Sequence, residues 1–161
     1  MLLVEKAAYL AGLFKALGLS LDISSFEKRK KIQKLVYLLK LKKDLARYLP
    51  FEFNIYFAGP YSTELADVYY SIDREGVEPA KVVVDEDALE YAKYIGGLSH
   101  NELELIATLV ELIRRFKTRD VNGLAWLVKG IKPKFTKKDI ETALKTIEYL
   151  EKRFGVDIEG V

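Results

Sequence analysis

The stretch "NIYFAGPYSTELADVYY", Asn54 to Tyr70, passes from an aromatic alternation through Gly59-Pro60 into a helical pattern. Upstream, "FEFNIYF" sets Phe51, Phe53, Ile55 and Phe57 against Glu52, Asn54 and Tyr56, the period-two signature of a half-buried strand. Downstream, Thr63 to Glu75 reads as a helix. Between them Gly59 permits backbone angles closed to other residues, Pro60 fixes its own, and Ser62 can accept from the free amides of the helix that follows. The stretch therefore predicts a structural corner. A phosphate loop would need more free amides and usually a lysine, and neither is present.

Outward from this corner the chain is mainly helical. Leu3, Ala7, Leu10, Leu13, Phe14 and Leu17 recur at helical spacing and Gly18 stops the run. Ser24 and Glu27 read as a capping box opening a long helix, "FEKRKKIQKLVYLLKLKKDLARYL", which Pro50 ends. That helix is apolar nearly all round from Ile32 to Leu41, so it is expected at the centre of the fold, with Lys28 to Lys31 reaching water. "KVVVD", Lys81 to Asp85, is a second strand candidate that could pair with the first as a small ribbon. Asp85 caps a short helix to Tyr94, and "SHNE" at Ser99 to Glu102 is a capping box for a helix through Phe116. Two further helices follow, about 121 to 129 and from a Thr136 cap through Arg153. The fold class expected is mainly α: one domain over residues 1–161, six to seven helices and a two-stranded β ribbon, with the corner motif in residues 1–95.

Composition narrows the chemistry. Half of the 161 residues are hydrophobic, enough for one core burying roughly 70% of the unfolded chain's surface. With no cysteine and only His100, disulfides, zinc-thiolate sites and cysteine nucleophiles are excluded and histidine chemistry has little to work with. No metal site, cofactor or catalytic group is expected: Glu64, Asp67 and the acids from Asp85 to Glu90 suit first helical turns. No run of about 18 apolar residues suggests a membrane span, and the first 20 residues carry Glu5, Lys6 and Lys15, unlike a signal peptide. A cytoplasmic protein is expected. Abundant Lys and Glu beside one Gln and three Asn suit selection at high temperature.

The net charge of +2 conceals two basic blocks. Lys28 to Arg47 holds nine basic residues against Asp44, and Arg114 to Lys138 holds nine against Asp120. They are either separate solvated faces or one nucleic-acid surface to which Lys28, Arg29, Lys30, Lys31, Lys134, Lys137 and Lys138 contribute. Around the corner Tyr56, Tyr61, Tyr69 and Tyr70 fall within fifteen residues. Tyrosine suits places where a ring is buried at one end and wet at the other, so these four are candidates both for core packing and for contacts to a protein partner.

"KIQKLVYLLKL" at Lys31 to Leu41, followed by the aromatic strand and "FAGPYSTELADVYY", resembles the YwgA-like branch of the Panacea domain superfamily, the SocA-like antitoxins. The likeness rests on Gln33, Tyr37, Gly59 and Pro60 in order and spacing, and covers roughly residues 1 to 80. It implies a mainly helical domain with a small sheet. It also implies a non-catalytic interaction role, holding a toxin or another protein, and leaves a homodimer open. Gln33 and Tyr37, four apart on one helix, can turn their polar ends to one side and bond to the strand or the Gly-Pro turn.

The other end of the chain supports a different function. Residues 96–161 have the helix, short helix, turn, helix layout of a winged helix-turn-helix, with Thr136, Lys137, Lys138 and Thr142 near the groove end of the last helix. Glu141, Glu148 and Glu151 project from that helix as well, and a packed helical hairpin satisfies the same pattern. DNA binding is the alternative function.

Overall fold

A computed structural model describes residues 1–56 and 59–159 of the chain. Phe57, the last apolar position of the expected strand, and the Tyr56 side chain lie outside what is described. Among the described residues there are eight helices and one two-stranded antiparallel sheet: α1 (Leu3–Leu17), α2 (Phe26–Leu39), α3 (Lys43–Ala46), β1 (Asn54–Tyr56), β2 (Gly59–Tyr61), α4 (Thr63–Glu75), α5 (Glu86–Gly96), α6 (His100–Phe116), α7 (Val121–Ile131) and α8 (Lys137–Phe154). None of these helices is long and apolar enough to cross a membrane.

Two helices carry the centre. In α2 every residue from Ile32 to Leu39 is buried, and in α6 every residue from Leu103 to Val110. A helix apolar all round must be wrapped by others, and α2 and α6 pack on one another while β2 lies against both. α8 and α7 cover α6, and α5 covers α2. A single hydrophobic core runs from Ala7 on α1 to Ile158, so both halves of the chain share it.

Most helix ends are where the sequence puts them because capping is local chemistry. Asp85, Ser99, Asp120 and Thr136 each accept from a backbone N–H three residues on, and Gly18 and Gly155 end their helices in the left-handed region. Three expectations are corrected. The α2 cap is Ser25, whose hydroxyl accepts from Lys28 N at 3.1 Å, while Ser24 Oγ stands 3.3 Å from Lys28 Nζ. The long helix does not reach Pro50: it stops at Leu39, and Leu41 N and Lys42 N bond back three residues to Leu38 O and Leu39 O. This tight turn carries Lys42 inward, where its ammonium meets Asp87 at 2.7 Å and the Phe154 carbonyl at 3.3 Å, and the four-residue α3 follows.

The third correction concerns the ribbon. Its second strand is the Gly-Pro segment itself, with Asn54 opposite Tyr61, Ile55 opposite Pro60 and Tyr56 opposite Gly59. Lys81 to Asp85 forms no strand. It lies beside α1, where Ala80 N donates to Ala8 O at 2.9 Å and a Cβ on Gly12 would come within 3.1 Å of the Val82 side chain. Half-buried Val82 and Val84 alternate with exposed Val83 because the segment has one side on a helix, which produces the same period of two as a sheet.

Candidate interaction surface

The corner is fixed by one glutamine. Gln33 is 1% exposed, and its side-chain amide clamps the backbone of Ser62 at two points: Ser62 N donates to Gln33 Oε1 at 2.8 Å and Gln33 Nε2 donates to Ser62 O at 2.9 Å. Ser62 Oγ then accepts from Leu65 N at 3.1 Å and starts α4. Gly59 has φ +96°, and a Cβ there would stand 3.0 Å from Thr108 Oγ1 on α6, so the position is closed to other residues by conformation and by space. The corner is a structural device joining α2, β2, α4 and α6.

Tyr37 does not share that work. Its hydroxyl donates to Glu111 Oε2 at 2.6 Å and its ring meets Phe53 edge-on at 5.3 Å, so Gln33 and Tyr37 turn to different partners. Burial, reinforced by the hydrogen bond to Glu111, drives the Tyr37 hydroxyl well above the usual tyrosine range. Of the tyrosines around the corner, Tyr69 is core, 2% exposed, with its hydroxyl pushed up to about 12 by burial. Tyr61 is half-buried, and Tyr70 is exposed with its ring 5.1 Å from that of Tyr69. Tyr56 contributes its backbone pairing with Gly59.

The basic residues are largely held by the fold. Lys28 pairs with Asp22 at 2.6 Å, Arg29 donates to Ile23 O at 2.8 Å, and Lys31 donates to Gly96 O at 3.1 Å. Lys30 lies over the Phe26 ring, 3.9 Å from Glu27. Lys28 and Lys31 stand on the rim of an open groove of about 720 Å³ floored by Leu17, Ile32, Leu35 and Ala92. In the second block Arg119 makes a two-point pair with Glu151 at 2.6 and 2.8 Å, and Arg114 donates to the carbonyls of Asp157 and Ile158. The two blocks meet in the interior. The carboxylate of Glu104 on α6 takes Lys132 at 2.5 Å and Lys134 at 3.0 Å, and buried Lys34 of α2 feels the same carboxylate. Burial opposes ionisation of Glu104, yet the hydrogen bonds from Lys132 and Lys134 outweigh it and hold the carboxyl at about 2. Lys34 is pushed down to about 8, chiefly by burial, with Glu104 pulling the other way and Lys30 and Lys132 adding to the fall. Lys137 and Lys138 remain exposed at the start of α8.

The most exposed aromatic side chain among the described residues was not singled out by the sequence patterns. Trp126, the only tryptophan of the chain, is 77% exposed at the middle of α7. Leu124 and Val128 anchor that helix to the core, while Gly123 and Gly130 stand three residues before and four after the indole, on its own side of the helix. Neither glycine has a positive φ. A Cβ on Gly130 would touch nothing within 4 Å, and one on Gly123 would meet only the side chain of Asp120, at 3.2 Å. A glycine inside a helix costs roughly 0.5 to 1 kcal/mol relative to alanine; nothing within the described fold requires this cost at Gly130, whereas at Gly123 a Cβ would crowd the Asp120 carboxylate that caps the helix. The outward face of α7 is thus a protruding indole beside an open hollow at Gly130 and a shallower one at Gly123, edged by the Asp120 carboxylate. The sequence signal was available in "NGLAWLVKG", a tryptophan between glycines in an apolar run, but the same run also satisfies a buried helix.

No family model, no curated protein and no solved structure matches the chain.

Proposed function

We propose that the chain is a non-catalytic protein-interaction module, of the antitoxin-like kind its resemblance to YwgA-like Panacea proteins suggests, and that it docks through the outward face of α7. The observation that carries this reading is Trp126, 77% exposed between two glycines, of which Gly130 has no neighbour that would exclude a side chain. Indole rings are the side chains most enriched at the energetic centre of interfaces, where a large rigid apolar surface is gained for little lost entropy. Tyr61 and Tyr70 offer a second aromatic edge within the same reading.

The alternative, a winged helix-turn-helix regulator, is favoured by one observation: Lys137 and Lys138 are exposed at the amino end of α8. It is weakened by Lys134, which is drawn to Glu104, and by Glu141 and Glu148, exposed on the same helix. Residues 155–159, which follow α8, form no strand of a wing.

Site-specific photo-cross-linking separates the two. A photoreactive phenylalanine analogue at position 126 should give a discrete protein adduct in the native cells, and one at position 138 should give no DNA adduct. Duplex binding should be weak, sequence-independent and steeply salt-dependent, each neutralised phosphate adding about −0.9 to the log-log slope. Absence of any protein adduct at position 126 would refute the interaction reading. Sub-micromolar, sequence-selective duplex binding lost in the Lys137→Ala, Lys138→Ala double variant would establish the regulator instead.

A further inference from the structure

We infer that the partner seated on α7 is a second copy of this chain, related by a two-fold axis, an inference that rests on the docking face proposed above. Asp120, Gly123, Trp126 and Lys129 stand three residues apart and make one i, i+3 row along the helix, from its cap to its last turn. Read along the row they are acid, hollow, indole, base. Read backwards they are base, indole, hollow, acid. Two such rows laid antiparallel across a two-fold axis between Gly123 and Trp126 therefore complement each other at every position. Trp126 sits on Gly123 of the partner subunit, Lys129 faces Asp120 of the partner subunit, and the axis repeats both contacts. This is the isologous pattern that a closed dimer requires, in which residue i meets j and j meets i.

The charges are free for this use. Asp120 turns one carboxylate oxygen to Gly123 N at 2.8 Å as the helix cap, and neither Asp120 nor Lys129 forms an ion pair with another described residue. Of the other cations of the second basic block, Arg115, Arg119, Lys132 and Lys134 are each paired with a glutamate of their own subunit. The row carries the one acid of the second basic block, Asp120, and a base, Lys129, neither in an ion pair with another described residue. Gly130, exposed and without neighbours, lets the second backbone approach on the adjoining row. One short helix buries less area than a standard interface, so the dimer should be weak, with a dissociation constant on the order of tens of micromolar.

The single tryptophan makes the test direct. Sedimentation velocity and intrinsic fluorescence are followed on the full chain from roughly 1 µM to 1 mM. The mass should rise from one chain to two, and the emission should move from that of a water-exposed indole towards the blue over the same range. Trp126→Ala should raise the dissociation constant at least about 30-fold, since a central indole is lost from both sides. Lys129→Glu, which sets acid against acid, should weaken the dimer while leaving the emission of the dilute protein unchanged. Gly123→Leu fills the hollow and should give a monomer whose helical circular dichroism is intact. If Gly123→Leu fails to fold, the other two variants still decide. A chain that stays monomeric with unshifted emission over the whole range overturns the inference, as does a dimer indifferent to both Trp126→Ala and Lys129→Glu. Failure here is separable from failure of the docking reading: an adduct at position 126 with a different protein sinks the second copy alone, whereas no adduct sinks both.

Discussion

Replacing Gln33 by leucine keeps the size and shape of a fully buried side chain while removing both halves of the clamp on Ser62. The Ser62 N–H and C=O are themselves inside the fold, because Ser62 is 1% exposed. Each loses its partner, and an unsatisfied buried donor or acceptor costs about 1 to 3 kcal/mol. Two such groups give about 2 to 6 kcal/mol, and the added apolar burial of leucine returns about 1 kcal/mol, so a net loss of about 1 to 5 kcal/mol, centred near 3, is expected. For a chain of this size each kcal/mol moves the melting temperature by roughly 2 to 4 °C, so the central value of about 3 kcal/mol puts Gln33→Leu about 6 to 12 °C below the parent. Urea unfolding followed by circular dichroism gives the same quantity from the midpoint, provided the slope is unchanged. Lys137→Ala, an exposed change, serves as the control and should stay within about 0.5 kcal/mol. A Gln33→Leu protein that melts within about 2 °C of the parent would show that the clamp is not what holds the corner.

Gly59→Val should cost about 2 to 4 kcal/mol in the same assay, since a branched side chain must take φ +96° and approach Thr108, and an unchanged midpoint would remove the steric argument. Stability should also fall in acid through Glu104. Its folded pKa, about 2, lies below the ordinary glutamate value, so its contribution is complete above about 4.5 and is lost as pH falls towards 2. The loss is up to about 3 kcal/mol, and Glu104→Gln should flatten that part of the pH profile. Lys34 acts at the other end. Its folded pKa of about 8 lies below its unfolded value, so the unfolded chain holds more protons between about pH 8 and 10.5 and stability should rise across that window. Lys34→Met should abolish the rise, measured by urea midpoints at each pH.

Helix starts and stops were legible because a cap is made by residues three or four apart: Ser62, Asp85, Ser99 and Thr136 each bond within their own first turn. The corner was legible for the same reason, since Gly59, Pro60 and Ser62 state their backbone needs locally, and a buried glutamine needs partners wherever it lies. Which strand pairs with β1 was not, because a period of two records only that one side of a segment is covered. It does not tell whether the cover is a sheet, as at Asn54 to Tyr56, or a helix, as at Val82 to Val84. Nor was the end of α2 at Leu39, where the turn that follows brings the Lys42 ammonium to Asp87 and Phe154, 45 and 112 residues away. The two basic blocks looked like a surface in sequence, where only their sign is visible. The tertiary structure buried Lys34 and Lys132 near Glu104, drew exposed Lys134 to the same carboxylate and left the indole of Trp126 outside, because burial is set by what packs across a residue and not by its neighbours in the chain.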